Sequence, residues 1–220
     1  MIKKVIQLII ALTWMTTSVH SCSCGGQHPQ DAFCSADYVF YGKVIKYDLI
    51  PGPPDDFANN FATWNYTFKI IFKMKGITER VGQDIAVDTA GNEGICGVRF
   101  TVGKSYIVMG RTRSDGMKET DSCRFISQLN SLSPYQSFYL FTRGSYSYNR
   151  NCRRRCKIGP KSKGCRYQQE NADFTTTKCL ANKALCQRER RRCRWVNNET
   201  CNPIYVITRT IQIQSVRDNP

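Results

Sequence analysis

Histidine is almost missing from this 220-residue chain, where only His20 and His28 occur. There is no H-E-x-x-H stretch and no histidine cluster, which argues against a zinc hydrolase site of its own. A serine or cysteine nucleophile would have to use His28 as its base, and no glycine-rich phosphate-cradling loop is present. These absences point away from an enzyme and from a resident cofactor. His28, just before Pro29, instead fits a turn or helix-capping role. Past the N-terminal run, no stretch offers the ~20 apolar residues that a membrane-spanning helix needs. No internal repeat is visible.

What is present begins with an export signal. Lys3 and Lys4 precede a mostly apolar run from Val5 to Met15, and Val19 and Ser21 occupy the small-residue positions before a cleavage site. Residues 1–21 therefore read as a signal peptide, and cleavage after Ser21 leaves 199 residues starting at Cys22. All 12 cysteines lie beyond that point, an even number for an oxidising, extracellular setting. Asn65-Tyr66-Thr67 and Asn198-Glu199-Thr200 are glycosylation acceptor patterns. The formal charge is +15, or +13 without Lys3 and Lys4. For a secreted protein, such charge points to sulfated glycans or cell surfaces as partners and not to nucleic acid.

The mature chain divides by composition. Tyr38 to Tyr47, Trp64 to Phe72, Asp84 to Asp88 and Ser105 to Met109 are β-branched and aromatic runs separated by turn formers. Pro51 to Asp56 reads as a long loop. Helices are expected after Pro29 and after Ser133-Pro134, where serine can cap and proline can take the first helical position. Many short strands with few helices predict a small closed barrel over residues 22–152. Residues 153–220 form a basic, cysteine-rich second unit with little apolar content, dependent on disulfides. Ile204 to Gln214 could add a strand.

The first mature residues carry a sharper signal. Cys22-Ser-Cys24-Gly-Gly-Gln-His-Pro-Gln-Asp-Ala-Phe-Cys34 closely resembles the mature N-terminus of the tissue inhibitors of metalloproteinases. Glu93-Gly-Ile-Cys-Gly-Val98, Asp121-Ser-Cys-Arg-Phe125 and Cys152-Arg-Arg-Arg-Cys-Lys-Ile158 resemble later segments of that family, in the same order. The resemblance implies a mainly β fold: an OB-type five-stranded barrel with flanking helices (netrin-like), plus a small disulfide-rich C-terminal domain. It also implies the pairings Cys22–Cys96, Cys24–Cys123 and Cys34–Cys152; spacing alone leaves fifteen connectivities for six cysteines.

Inhibition of zinc metalloproteinases is the implied function. The α-amino nitrogen and carbonyl oxygen of Cys22 would chelate the zinc of the target protease, Ser23 would enter its specificity pocket, and Cys24 and Gly25 would follow. Glu93, Gly94, Ile95, Cys96 and Gly97 would form the second part of the protease-binding ridge. Gly25-Gly26 departs from the family, which commonly carries bulkier residues or proline there. The alternative function is a secreted netrin-like module that binds sulfated glycans or matrix without inhibiting a protease. Its candidate contacts are Arg153, Arg154, Arg155, Arg188, Arg190, Arg191, Arg192 and Arg194.

Overall fold

The structure, a computed structural model, describes residues 22–56, 60–167 and 174–201. The signal peptide and the strand expected over Ile204 to Gln214 lie outside them. Four long strands contain the four apolar runs and extend past them: β1 (Tyr38–Ile50), β2 (Thr63–Lys75), β3 (Asp84–Ala90) and β4 (Ser105–Thr112). They are longer because pairing continues past the ends of the runs, as where Asp48 to Ile50 of β1 face Asn65 to Thr63 of β2. With the short β5 (Lys118–Glu119) they close a five-strand ring in the order β1-β2-β3-β5-β4, β4 returning to β1. A further short strand, β6 (Ile126–Ser127), pairs with Ile107 and Val108 of β4.

Alternation along the strands fills this ring. Tyr66, Phe68 and Ile70 of β2 point inward with Phe40, Phe100 and Val108, while Lys69 and Ile71 are exposed. The rings of Phe100 meet Tyr66, Phe68 and Tyr106 edge-on at 5.0, 5.1 and 5.1 Å. Closure is tight at Gly110, where a Cβ would stand 2.2 Å from the Glu119 carbonyl oxygen.

Both expected helices form: α1 (Pro29–Ser35) and α2 (Pro134–Phe141). His28 caps α1, its Nδ1 accepting from the Gln30 amide at 3.2 Å, so its other ring nitrogen carries the proton. Ser133 and Gln136 form a capping box on α2. A third helix, α3 (Tyr148–Arg153), contains the point at which the sequence divides by composition.

Beyond it lie β7 (Ile158–Gly159), β8 (Cys165–Arg166), α4 (Phe174–Lys183) and a hairpin of β9 (Leu185–Glu189) and β10 (Arg192–Val196). Disulfides Cys156–Cys193, Cys165–Cys186 and Cys179–Cys201 hold this part. It is also joined to the barrel side by hydrogen bonds. A helix leaves its last four carbonyls unpaired. In α4, those of Ala181, Asn182 and Lys183 meet Gln136 Nε2 (3.1 Å), Ser133 Oγ and Tyr139 Oη (2.8 Å), while the Leu180 carbonyl, which also accepts from the Ala184 amide at 2.9 Å, meets His28 Nε2 (3.0 Å). The Gln30 side chain pairs with both backbone groups of Cys186, at 2.8 and 2.7 Å. Among the described residues, no helix is long and apolar enough to cross a membrane.

Candidate functional site

Residues 22–27 form neither helix nor strand, and residues 23–27 are exposed. Such a segment would fray if it were a free terminus. Here it is held twice: Cys22 is bonded to Cys96 and Cys24 to Cys123. Cys34–Cys152 ties the end of α1 to α3. Ser23 sits exposed between two anchored positions, and a Cβ on Gly25 would meet nothing within 4 Å.

Beside this segment lies a single 3-10 turn, Glu93–Ile95, whose three residues are exposed. The backbone nitrogen of Cys22 donates to the Gly94 carbonyl at 2.8 Å, which places the two pieces edge to edge. Asn92 caps the turn, its Oδ1 accepting from the Gly94 amide at 2.7 Å. Cys96 then adopts φ 67°, a left-handed conformation uncommon outside glycine, and its carbonyl accepts from the Ser122 amide at 2.9 Å. Gly97 must be glycine, since a Cβ there would be 2.2 Å from the Ala90 carbonyl oxygen.

The turn rests on the barrel through residues that the sequence reading passed over. Asn92 Nδ2 donates to Asn60 Oδ1 at 3.0 Å, and the Gly91 carbonyl accepts from Arg99 Nη2 at 2.7 Å. Arg99 also lies over the Trp64 ring, 4.4 Å from its centre. Asn92 had a visible signal as a turn former just before Glu93-Gly94; Arg99 had none.

The Sγ atoms of Cys22, Cys24, Cys96 and Cys123 lie within 4.8 Å of one another. Joined as two disulfides they offer no thiolate, so they form a covalent clasp and not a metal centre.

The two arginine runs, far apart in sequence, come together. Arg154 Nη1 donates to the Arg188 carbonyl at 3.1 Å, and Arg188 Nη1 donates to the Arg154 carbonyl at 3.2 Å. Arg190 and Arg191 form the turn between β9 and β10, while Arg194 pairs with Glu189. Arg153 and Arg155 are exposed. Of the two candidate glycosylation sites, Asn65 is half-buried with its amide donating to Asp88 Oδ1 at 2.6 Å. Asn198 is half-buried at the start of a 3-10 turn, its carbonyl accepting from the Cys201 amide at 2.8 Å.

A family model described as tissue inhibitor of metalloproteinase matches residues 20–202. Among curated relatives, Metalloproteinase inhibitor 3 of Scyliorhinus torazame is 34% identical over 158 residues, covering 70% of this chain and 67% of its own. Metalloproteinase inhibitor 2 of Homo sapiens is 30% identical over 152 residues, covering 68% and 65%. Metalloproteinase inhibitor 2 of Rattus norvegicus is 31% identical over 153 residues, again covering 68% and 65%. The chain thus spans about two thirds of the length of these relatives.

Proposed function

The chain belongs to the tissue inhibitor of metalloproteinase family, and we propose that it is a secreted inhibitor of zinc metalloproteinases that ligates the protease's zinc through Cys22. The observation that carries this reading is the doubly anchored, exposed segment laid against the Glu93–Ile95 turn. Cleavage after Ser21 turns the Cys22 nitrogen into a free α-amino group. That nitrogen and the Cys22 carbonyl oxygen can close a five-membered ring on one metal ion. Gly94 already orients the nitrogen, and no described donor occupies the carbonyl oxygen.

The chemistry suits neutral pH. An α-amino group titrates at about 7.7–8.0, so a useful fraction is neutral, and a metal favours the deprotonated form. A catalytic zinc keeps one position open for water, which the chelate displaces. Ser23 then faces the protease's specificity pocket, and Glu93 to Gly97 supply the second edge. The two tethers hold the segment before binding, which lowers the ordering cost of association. The six disulfides fit secretion into an oxidising space.

An alanine added before Cys22 tests the mechanism. It converts the amine into an amide, a poor ligand near neutral pH, and leaves every disulfide in place. Inhibition should fall by orders of magnitude at ~1.4 kcal/mol per tenfold step, with thermal stability unchanged. Full inhibition by the extended protein, its mass confirmed, would sink the chelation mechanism.

The arginine clasp favours a second, compatible function in binding sulfated glycans. The mutual bonds of Arg154 and Arg188 merge two basic runs into one surface. Retention on immobilised heparin should weaken steeply with salt, because such contacts are screened.

A further inference from the structure

We propose that a basic cavity between β2, α2 and α3 seats one sulfated sugar unit of a polysaccharide chain. The proposal rests on the glycan reading above and gives that ligand a defined seat. The cavity measures ≈380 Å³, within the roughly 300–1,000 Å³ of small-molecule sites. Its apolar lining includes Phe72, Leu140 and Phe141, the two phenylalanine rings lying 5.2 Å apart. Lys73, Arg143, Arg150 and Arg153 also line it, with no carboxylate among the lining residues. None of the four forms an ion pair among the described residues, although other lysines and arginines do.

Four like charges around one cavity repel, and an anion with several oxygens relieves that repulsion. Guanidinium groups suit such a ligand because their planar forks bond two oxyanion oxygens at once. The aromatic side can pack against the C–H face of a sugar ring.

A polymer fits better than a compact anion. The basic surface leaves the cavity at Arg153, continues through Arg154 to Arg188, and ends at the β9–β10 turn. A ligand confined to the cavity would leave these further cations unmatched. The seat is also remote from the ridge. The ridge loop abuts the start of β2, where Ala62 accepts from the Gly91 amide, and the cavity uses Phe72, Lys73 and Met74 near its end. At about 3.3 Å per residue these ends are roughly 30 Å apart along the strand.

The test is calorimetric titration of the full secreted protein with a heparin octasaccharide, at low and high sodium chloride. Arg143→Gln with Arg150→Gln should weaken binding about tenfold or more and flatten its salt dependence. Metalloproteinase inhibition and the melting temperature should stay as in the parent; Arg143→Gln alone, expected to show a smaller loss, serves if the double variant folds poorly. Undiminished binding by these variants, alongside a loss on Arg190→Gln with Arg191→Gln, would remove the seat while keeping the glycan reading. No octasaccharide binding by the parent protein would remove both. Inositol hexakisphosphate displacing the octasaccharide at equal concentration would assign the cavity to a compact phosphate and overturn the proposal.

Discussion

Inside the barrel, eleven residues from Tyr38 to Val108 form the buried cluster, and none is a half-cystine. Beyond Arg153, the described apolar residues exposed to 5% or less are Cys165, Ala184, Leu185, Cys186 and Cys201. Three of those five are half-cystines. Bridge lengths differ in the same way: separations of 74, 99 and 118 residues before Arg153, but 37, 21 and 22 after it. In the first region, two disulfides fasten one exposed segment and a third joins α1 to α3, around a core that aromatic and aliphatic side chains already fill. In the second, the disulfides are much of the core. The lesson is that one bond type orients a surface in one place and replaces hydrophobic burial in another.

The largest effect should come from breaking a bridge in the second region. Cys165→Ala with Cys186→Ala removes a buried cross-link worth about 3 kcal/mol in loop entropy alone. Amide exchange should then rise sharply across residues 158–196 while residues 38–112 stay protected. The matching loss of Cys24–Cys123 should abolish tight inhibition yet leave barrel protection intact. Equal exchange patterns in the two variants would erase the distinction.

Next in size is the seam between the regions. His28 is fully buried, T-shaped to the Tyr167 ring and tilted against the Trp195 ring, and burial lowers its pKa to about 4. Its ordinary value is 6.5, so folding favours the neutral ring. Stability from this group is therefore complete above pH 6.5 and drains away as the pH falls toward 4, by up to about 3 kcal/mol. His28→Asn keeps a capping oxygen without a titrating ring. Denaturant melts from pH 7 to 4 should show a steeper decline in the parent than in this variant. Parallel declines would mean that other groups carry the acid sensitivity.

A smaller change sharpens the comparison within the first region. Gly97→Ala drives a Cβ against the Ala90 and Asn92 carbonyl oxygens, at 2.2 and 2.7 Å, so the turn must shift while the barrel core remains. Inhibition should weaken about tenfold, or ~1.4 kcal/mol, with little change in near-ultraviolet circular dichroism. Parent-like inhibition constants would show that the turn contributes nothing to binding. Smallest is Ser23→Gly, which removes one exposed hydroxymethyl group. A loss of a few-fold across several metalloproteinases is expected, with no change in melting temperature. Identical constants would remove Ser23 from the specificity pocket.

The barrel was legible because its strands bury one face, and β-branched and aromatic residues recur at that period. The starts of α1 and α2 were legible too, since His28-Pro29 and Ser133-Pro134 are local capping chemistry. The second region was not. The β9–β10 hairpin lies within what reads as an arginine run, because its inward contribution to the helical core comes mainly from Leu185 and Val196. Helix α3 is short and arginine-bearing, with Tyr148 and Asn151 as its buried positions. Gln30, buried at 1% exposure, carried no signal of burial in the sequence, because its partner Cys186 is 156 residues away. The pairing within the ridge came from resemblance alone, and the support from Asn92 and Arg99 depends on barrel geometry that no local pattern encodes.

The four clustered sulfurs bear on how the molecule is made. Four half-cystines can be joined in three ways, and with all four within 4.8 Å each way is within reach of a small movement. Nearness of sulfur therefore carries no instruction about which bond to form. What discriminates is the backbone: the Cys22 nitrogen docked on Gly94, the left-handed turn at Cys96 and the Ser122 amide held by its carbonyl. Oxidation before these contacts settle can lock a scrambled isomer with the right mass and a wrong ridge, so fidelity of bridging depends on the barrel loops being in place first.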